Sequence, residues 1–316
     1  MIAVHLEEGR VSVRKTAKPR RRHGEALIRL LRGGICNTDI ELLRGYYNFQ
    51  GTPGHEFVGV VAEADDMRWV GRTVVGEINL SCGKCAYCDT GLARHCSKRT
   101  VLGIVRQPGA FREYLTLPQQ NLHSVPDEVP LEHAVFCEPI AAACEILDQI
   151  RIAKGARVAV LGDGKLGLLV SQVLALHGAV VHQYGHHRRK LDIAAKTGVD
   201  GRIALKLPTA AYETVIEATG TADGLRDAVS MTRPRGTVIL KSTIHGLVGI
   251  DTAPVVVNEI TLIGSRCGRF EPALALLASR RLALDEMIDD RFPLAEAPRA
   301  FDRAQERGVL KVLLHE

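Results

Sequence analysis

Aromatic side chains are scarce in this chain of 316 residues, because phenylalanine, tryptophan and tyrosine together make up 4% of it. So few rings argue against a surface that binds nucleic acid by stacking on its bases. Apolar runs of about eighteen residues, which a membrane-spanning helix needs, are also missing. The N-terminal residues lack the layout of a signal peptide, and neither internal repeats nor low-complexity linkers occur. We therefore expect a cytoplasmic globular protein with no membrane segment and no nucleic-acid partner.

The charge is nearly balanced and the apolar content is ample. The formal net charge is +5, and basic residues cluster only at Arg14–His23 and His186–Lys190. The first cluster is interpreted as a solvated loop, with contact to nucleic acid as the weaker alternative. Hydrophobic residues make up 46% of the chain, and this content, together with the length, predicts two domains.

Half of the eight cysteines are closely spaced. Three follow one another at intervals of three residues and the fourth comes one loop later: Cys82, Cys85, Cys88 and Cys96. Four thiolates this close in sequence suit one tetrahedral zinc with Zn–S bonds of about 2.3 Å, and such a closed site is structural. Two disulfides or four buried thiols are the alternatives, and the lack of an export signal disfavours the disulfides. The spacing alone fits a zinc ribbon as well as an enzyme.

A second set of zinc-type ligands lies outside this cluster. Cys36 precedes Asn-Thr-Asp, His55 and Glu56 follow Pro-Gly, and Glu138 lies between Cys137 and a proline. Together these side chains would form a mixed sulfur, nitrogen and oxygen site of the kind that holds catalytic zinc, with a position left for water or substrate. Each residue alone has a plainer interpretation, as a buried cysteine, a hydrogen-bonded histidine or a solvated turn residue.

A glycine-rich motif predicts a dinucleotide site. An apolar run is followed by Gly-Asp-Gly-Lys-Leu-Gly and then by apolar residues at helical spacing. Gly162 permits the tight turn, Gly164 admits the pyrophosphate, and the helix that begins at Lys165 and Leu166 offers it free N–H groups. A second strand, Val180–Tyr184, follows at the expected distance, so the prediction rests on more than the bare motif.

The end of that second strand predicts which dinucleotide is bound. NAD sites usually carry an acidic residue there, bonded to the ribose 2′-hydroxyl. This chain has Gly185 in that place, followed by a basic run that includes His186, Arg188 and Arg189. A carboxylate would repel a 2′-phosphate, whereas arginine and histidine would bind it, so we expect NADP(H) to be preferred over NAD(H). The alternative is that the basic residues form only the solvated first turn of the next helix.

The periodicity of apolar residues changes along the chain. Residues 1–138 have short β-type runs broken by glycine and proline, which predict an irregular, mostly antiparallel barrel with a zinc lobe at about 80–97. Residues 139–266 alternate strands with helices, which predicts an α/β fold with a doubly wound parallel sheet. Residues 267–316 add a further helix and a β-type tail.

Nearly the whole chain resembles the zinc-dependent medium-chain alcohol dehydrogenases. The motifs that carry the resemblance are Cys36-x-Thr38-Asp39, Gly54-His55-Glu56, the four-cysteine lobe, Glu138-Pro139 and the glycine-rich loop. Members of this family pair a GroES-like catalytic domain with a Rossmann domain, and the C-terminus usually returns to the catalytic domain. The resemblance implies two zinc ions per chain, hydride transfer between an alcohol carbon and NAD(P)(H), and a homodimer or homotetramer.

The resemblance also implies the ligands of the catalytic zinc. Cys36, His55 and Glu138 would bind it, with Glu56 as a direct or exchanging ligand and Cys137 as a less favoured alternative to Glu138. Glutamate at position 138 is typical of the polyol, sugar and secondary-alcohol branch of the family, whereas the classical alcohol dehydrogenases have cysteine there.

Further roles follow from the same resemblance. Asp39 would accept the other ring N–H of His55 and fix its tautomer. Thr38 would bond the substrate hydroxyl and start proton release, although the relay histidine of many members is Glu41 here. Lys311 matches a basic position that contacts the cofactor pyrophosphate.

Thr219 and Ser265 complete the predicted cofactor residues, since each follows a strand whose carboxyl end would border the nicotinamide. Ordinary turns at the strand ends are the alternative. Two functions of other kinds also stay open: a zinc-independent NADP(H) reductase of quinones or enones, and a non-catalytic zinc and nucleotide sensor. The reductase would share the two-domain layout without needing the second set of zinc ligands. The sequence does not name the substrate.

Overall fold

The computed structural model of the protein describes residues 1–243 and 249–316. Its strands are β1 (Ile2–Glu7), β2 (Arg10–Lys15), β3 (Glu25–Gly34), β4 (Glu56–Ala64), β5 (Thr73–Gly76), β6 (Asn79–Leu80), β7 (Thr100–Leu102), β8 (Arg106–Gln107), β9 (Tyr114–Pro118), β10 (Leu122–Ser124), β11 (Arg157–Leu161), β12 (Val180–Gly185), β13 (Asp200–Ile203), β14 (Tyr212–Glu217), β15 (Thr232–Leu240), β16 (Thr261–Gly264), β17 (Ile288–Pro293) and β18 (Lys311–His315). Its α-helices are α1 (Asn37–Leu43), α2 (Ala86–Asp89), α3 (Leu131–Ala134), α4 (Cys137–Gln149), α5 (Lys165–His177), α6 (Arg188–Ala195), α7 (Ala222–Met231), α8 (Ala253–Val257), α9 (Phe270–Ala278) and α10 (Ala297–Gln305). Short 3-10 helices lie at Tyr46–Asn48, Met67–Trp69, Ala93–His95, Gln119–Asn121, Asp285–Met287 and Leu294–Glu296.

The chain divides into two compact units. The first comprises Met1–Glu138, Ala273–Ala278 and Ile288–Glu316, and the second comprises Pro139–Pro272 and Ser279–Met287. The first boundary falls where the apolar periodicity changes. The chain returns to the first unit in two steps, whereas the sequence predicted a single return at residue 267.

The first unit is built on a mostly antiparallel sheet in the order β10-β5-β4-β3-β18-β17, with β9 also paired to β3. Strand β3 lies at its centre because its apolar side chains are buried, among them Leu27, Ile28 and Leu30. The tail strand β18 pairs antiparallel with β3 and parallel with β17. Strand β18 therefore lies inside the sheet, between β3 and β17.

The second unit contains a six-stranded parallel sheet in the order β13-β12-β11-β14-β15-β16. The order reverses between β12 and β14 on either side of β11, which is the switch point where doubly wound folds bind nucleotides. One face of the sheet packs on α7 through a core that includes Leu161, Val215, Ala228 and Val238. The predicted α/β fold with a doubly wound parallel sheet is confirmed. Within the described residues, every helix is too short or too polar to span a membrane.

Candidate metal centres and nucleotide-binding loop

The structure brings Cys36, His55 and Glu56 together in the first unit. Their ligand atoms all lie within 4.8 Å of one another. Backbone pairing explains this, because Gly34 at the end of β3 lies opposite Glu56 at the start of β4. Cys36 follows β3 by two residues as the N-cap of α1. A half-buried thiolate with a buried imidazole and a buried carboxylate form a donor set that suits zinc.

Asp39 supports this group from the first turn of α1. Its fully buried carboxylate accepts the N–H of Cys36 at 2.9 Å and the N–H of Gly54 at 3.1 Å. Its Oδ1 lies 3.4 Å from Nδ1 of His55, which is within ion-pair range although long for a hydrogen bond. Burial alone would lower the pKa of His55, but the charges of Asp39 and Cys36 raise it well above its ordinary value. The negative surroundings that hold a proton on this ring would also stabilise a metal cation, which would take the place of that proton on the neutral imidazole.

Lys311 also belongs to this centre, which the sequence did not predict. Its ammonium group, on β18, donates to Oε2 of Glu56, and both side chains are almost completely buried. It also lies 5.5 Å from the ring centroid of Phe136. Burial alone would lower the pKa of Lys311, but the charges of Glu56 and Cys36 raise it. The structure thus places Lys311 beside the metal ligands of the first unit, and its predicted contact with the pyrophosphate has no support from this geometry.

The remaining predicted residues of this centre lie at its margin. The half-buried Thr38 has its hydroxyl 3.9 Å from Sγ of Cys36. Glu41 is paired with Arg44 on the same helix turn at 3.0 Å. Glu138 lies in the first turn of α4, directly after the buried Cys137. Among the described residues, neither Glu41 nor Glu138 has a ligand atom within 4.8 Å of all three members of the group.

The four-cysteine lobe forms a second group with its sulfur atoms within 4.8 Å of one another. The Sγ atom of Cys85 lies 3.5 Å from that of Cys88 and 3.7 Å from that of Cys96. Four sulfurs placed about 2.3 Å from one tetrahedral centre would be about 3.8 Å apart, so the group has the right size for zinc. The N–H of Cys82 donates to Sγ of Cys96 and lowers the pKa of Cys96 to about 6, which favours the thiolate that binds metal. None of the eight cysteines is joined in a disulfide, so the structure contains none of the alternative disulfides.

The glycine-rich loop of the second unit joins β11 to α5. Gly162 has a φ of +111°, and a Cβ atom there would lie 2.4 Å from the carbonyl oxygen of Ala218. A Cβ atom on Gly167 would lie 2.4 Å from the carbonyl oxygen of Gly162, so this glycine lets the helix approach the strand. Gly164 caps α5 and has open space where a side chain would be, as a bound pyrophosphate requires. Lys165 and Leu166 form the first turn of α5.

The other predicted cofactor residues lie at the same edge of the parallel sheet. Gly185 ends β12, Thr219 follows β14, and Ser265 follows β16. Thr219 donates from its backbone and its hydroxyl to Oε1 of the buried Glu217 at 2.7 and 2.6 Å. The hydroxyl of Ser265 accepts from Nζ of Lys241 at 3.1 Å. Both residues are thus hydrogen-bonded to buried charged partners, and their role at a cofactor stays a prediction.

The basic run after β12 is engaged within its own unit. The ring of His187 contacts the carboxylate of Asp163 at 3.0 Å. The guanidinium of Arg188 donates to the carbonyl of Gly201 at 3.0 Å and lies 4.0 Å from Asp192. The exposed His186 uses its backbone N–H to bond Asp163. The sequence analysis did not predict a role for Asp163, because its position in the glycine-rich motif is variable. An acid at 163 combined with glycine at 185 is the sequence signal that could have indicated it.

Two family models match the chain. The alcohol dehydrogenase GroES-like domain matches residues 22–127, and the zinc-binding dehydrogenase domain matches residues 166–279. Among curated proteins, the chain is 30% identical to D-altritol 5-dehydrogenase of Agrobacterium fabrum, with 86% of each chain covered. It is 28% identical to sorbitol dehydrogenase of Halalkalibacterium halodurans, with 97% of this chain and 96% of that protein covered. The chain belongs to the zinc-dependent medium-chain alcohol dehydrogenase family.

Solved structures agree with this membership. Alcohol dehydrogenase TADH from Thermus sp. ATN1 superimposes with a TM-score of 0.92 at 30% identity, with 100% of both chains covered. A zinc-binding dehydrogenase of Sinorhizobium meliloti 1021 bound to NADP gives a TM-score of 0.90 at 29% identity, covering 100% of this chain and 99% of that one. The predicted pairing of a GroES-like domain with a Rossmann domain is therefore confirmed.

Membership in the medium-chain alcohol dehydrogenases settles the general chemistry. The protein is a zinc-binding, NAD(P)-dependent oxidoreductase that acts on a CH–OH group of a small molecule, as the sequence predicted. Its place in the polyol-dehydrogenase-like branch is likewise confirmed by its curated relatives.

Proposed function

We propose that this protein transfers a hydride between a secondary hydroxyl of a polyol or sugar and a nicotinamide dinucleotide, at the centre formed by Cys36, His55 and Glu56. The observation that carries the proposal is the meeting of these three side chains within 4.8 Å of one another. Relatives named for erythritol, sorbitol and D-arabinitol, each 28 or 29% identical, support the substrate class.

The residues present fit a catalytic zinc and a dinucleotide. When bound, the metal supplies a Lewis acid that polarises the substrate oxygen, and the nicotinamide supplies the hydride acceptor. Cys36, His55 and Glu56 would hold the metal, and we propose Glu138, from the first turn of α4, as a further ligand. Cys137 is the less favoured candidate for that place.

Asp39 acts on the centre by orienting its ligands. Its carboxylate faces Nδ1 of His55, which would leave the other ring nitrogen for a bound metal. The same carboxylate accepts from the N–H of Cys36 and thereby ties the start of α1 to the ligand group. These contacts hold the ligands in place before substrate arrives.

We assign the first step of proton release to Thr38. Its hydroxyl both donates and accepts, so it bonds the substrate hydroxyl and passes the proton outward. Glu41, which stands where many family members have a relay histidine, is tied to Arg44. We therefore propose that the proton leaves by a route other than Glu41.

The glycine-rich loop, together with Thr219 and Ser265, is the proposed dinucleotide site. The first turn of α5 offers N–H groups to the pyrophosphate. Two observations favour NADP(H): the basic run after β12, and NADP in the related structure from Sinorhizobium meliloti. Asp163 favours NAD(H) instead, because its carboxylate lies beside Gly185 at the end of β12 and would repel a 2′-phosphate.

We further propose that the protein is a cytoplasmic homodimer that pairs through the second unit. The edge strand β16 has exposed side chains and, among the strands that the structure describes, pairs only with β15. Beside it along the chain, Val256 and Val257 of α8 are 71% and 79% exposed. An uncovered apolar edge of this kind favours pairing with a second copy. Cysteines that serve as metal ligands in place of disulfides suit a reducing compartment, which favours the cytoplasm.

Activity of matched variants tests the proposed function. Wild type is expected to oxidise members of a polyol panel, and Cys36→Ser should lower kcat/KM by at least about a thousandfold because a metal ligand is lost. Cys144→Ser, which removes a buried thiol of the second unit, is the control and should keep most of the activity. Full turnover in Cys36→Ser would refute the metal role. Reduction of an enone or quinone that survives this change would identify the zinc-independent reductase instead.

A further inference from the structure

A carboxylate occupies the place that Gly185 leaves empty at the end of β12. A Cβ atom on Gly185 would lie 2.5 Å from Cβ of Asp163 and 2.6 Å from its Oδ2. Asp163 belongs to the glycine-rich loop, so its side chain reaches across from the end of β11, the neighbouring strand. No side chain larger than that of glycine fits at 185 while Asp163 keeps this position. The acid that NAD sites usually carry at the end of the second strand is thus replaced by Asp163, in the loop that follows β11.

Asp163 is held firmly as an anion. Its Oδ2 accepts the N–H groups of His186 and His187, each at 2.7 Å, and contacts Nδ1 of His187 at 3.0 Å. Burial alone would raise the pKa of Asp163, but these hydrogen bonds lower it below its ordinary value. The backbone N–H groups that follow β12 are therefore already taken by a carboxylate and are not open to a phosphate.

The second carboxylate oxygen remains available to a ligand. All of the bonds that Asp163 makes among the described residues go to Oδ2, and 11% of the side chain is exposed. An acceptor at the end of β12 suits the ribose hydroxyls of a dinucleotide, which are donors. A 2′-phosphate in the same place would meet a like charge at short range.

We propose that Asp163 reads the adenosine ribose and makes the site select NAD(H) over NADP(H). This inference rests on the proposed function, and it reverses the preference that the sequence predicted from Gly185 and the basic run. The sequence argument assumed that glycine at 185 leaves the ribose end without an acid, whereas the structure supplies one from the neighbouring loop. Two residues of the basic run are already engaged, since the ring of His187 contacts Asp163 and Arg188 donates to the carbonyl of Gly201.

Equilibrium binding of NADH and NADPH, followed by the fluorescence of the bound nicotinamide, tests the proposal without turnover. Wild type is expected to bind NADH at least about tenfold more tightly than NADPH, or about 1.4 kcal/mol. Asp163→Asn keeps the shape but removes the charge, and it should reduce this ratio about tenfold or reverse it. The exchange Asp163→Gly with Gly185→Asp returns the acid to the strand end and should keep the preference for NADH. Asp200→Asn, which removes an exposed carboxylate on β13, is the control and should leave the ratio unchanged.

Each outcome bears on the proposal. Tighter binding of NADPH by wild type, or an Asp163→Asn ratio within twofold of wild type, would overturn it while leaving the dehydrogenase function intact. Failure of wild type to bind either dinucleotide would overturn both. Should Asp163→Asn unfold, the exchange variant decides, because loss of its preference for NADH would contradict a role for the carboxylate.

Discussion

Lys311 and Glu56 form an almost completely buried ion pair at the centre of the proposed active site. A buried pair of this kind adds little net stability, but removing one partner leaves an uncompensated charge in a low-dielectric interior. The pair gives the buried carboxylate of Glu56 a charged partner close to Cys36 and His55. It therefore allows Glu56 either to remain on Lys311 or to approach a bound metal, which fits a direct or exchanging ligand.

Truncation of Lys311 tests this description. Lys311→Met should lower the free energy of unfolding by about 3 kcal/mol, because Glu56 would be buried without its cation. Since the folded-state pKa of Lys311 lies above its ordinary value of 10.5, the pairing is complete below that pH and is lost only as the pH rises through the raised pKa. The contribution of this lysine to wild-type stability should therefore be the same at about pH 6 and about pH 9.

Urea unfolding measures this effect, and the double variant Lys311→Met with Glu56→Gln is its control. Removing both charges should restore most of the stability. A double variant as unstable as Lys311→Met alone would show that the effect comes from lost packing and not from an unpaired carboxylate.

The sequence indicated which residues meet in the candidate metal groups where a short motif contained them. Cys36, His55 and the four clustered cysteines were found from spacing, and the carboxylate of Asp39 does face His55. The partner of Glu56 could not be found in this way, since Lys311 is 255 residues away in the chain and meets it only through sheet pairing. Asp163 escaped notice because its effect depends on the space left by Gly185, which is a property of packing and not of the motif.

In the proposed homodimer, strand β16 is the element that would form the interface. It closes one edge of the parallel sheet, where unpaired N–H and C=O groups invite another strand. Leu262 on this strand is 37% exposed, and its neighbours Thr261 and Gly264 are exposed as well. No charged residue occurs within β16 to discourage pairing.

A charge on this edge is expected to prevent dimer formation. Leu262→Glu should weaken association by roughly a hundredfold, because a twofold axis would bring two buried carboxylates into one interface. Light scattering after size exclusion measures the change. Leu205→Glu is the matched control, since Leu205 is 91% exposed in the same unit but away from β16. A monomeric wild type, or an equal effect of both substitutions, would contradict the proposed interface.

The elements of the second unit could be predicted more closely than those of the first. The start of α7 follows a local signal, because the hydroxyl of Thr221 accepts the N–H of Gly224 and caps the helix. The short strand β13 has no such signal, since Asp200–Ile203 contains a glycine and two charged residues and lacks an apolar pattern. In the first unit, residues far apart in the chain form the sheet, and local periodicity does not encode that pairing.

At the scale of the molecule, one chain carries two metal centres with different purposes. The four-cysteine group has no ligand position left over and fits a structural zinc. The group of Cys36, His55 and Glu56 has fewer protein ligands, as chemistry on a bound substrate requires. Both groups lie in the first unit, and the dinucleotide loop lies in the second. We therefore assign a structural zinc to the four-cysteine group and a catalytic zinc to the group of Cys36, His55 and Glu56.

Zinc content of three purified proteins, measured by elemental analysis, tests that claim most directly. Wild type should hold two zinc ions per chain, and Cys36→Ser should keep one while remaining folded and inactive. Cys82→Ser should instead lose the structural zinc and with it stability, since the free energy of binding a structural metal contributes to folding. A single zinc in wild type that is kept in Cys36→Ser and lost in Cys82→Ser would contradict the account, because the proposed active site would then hold no metal.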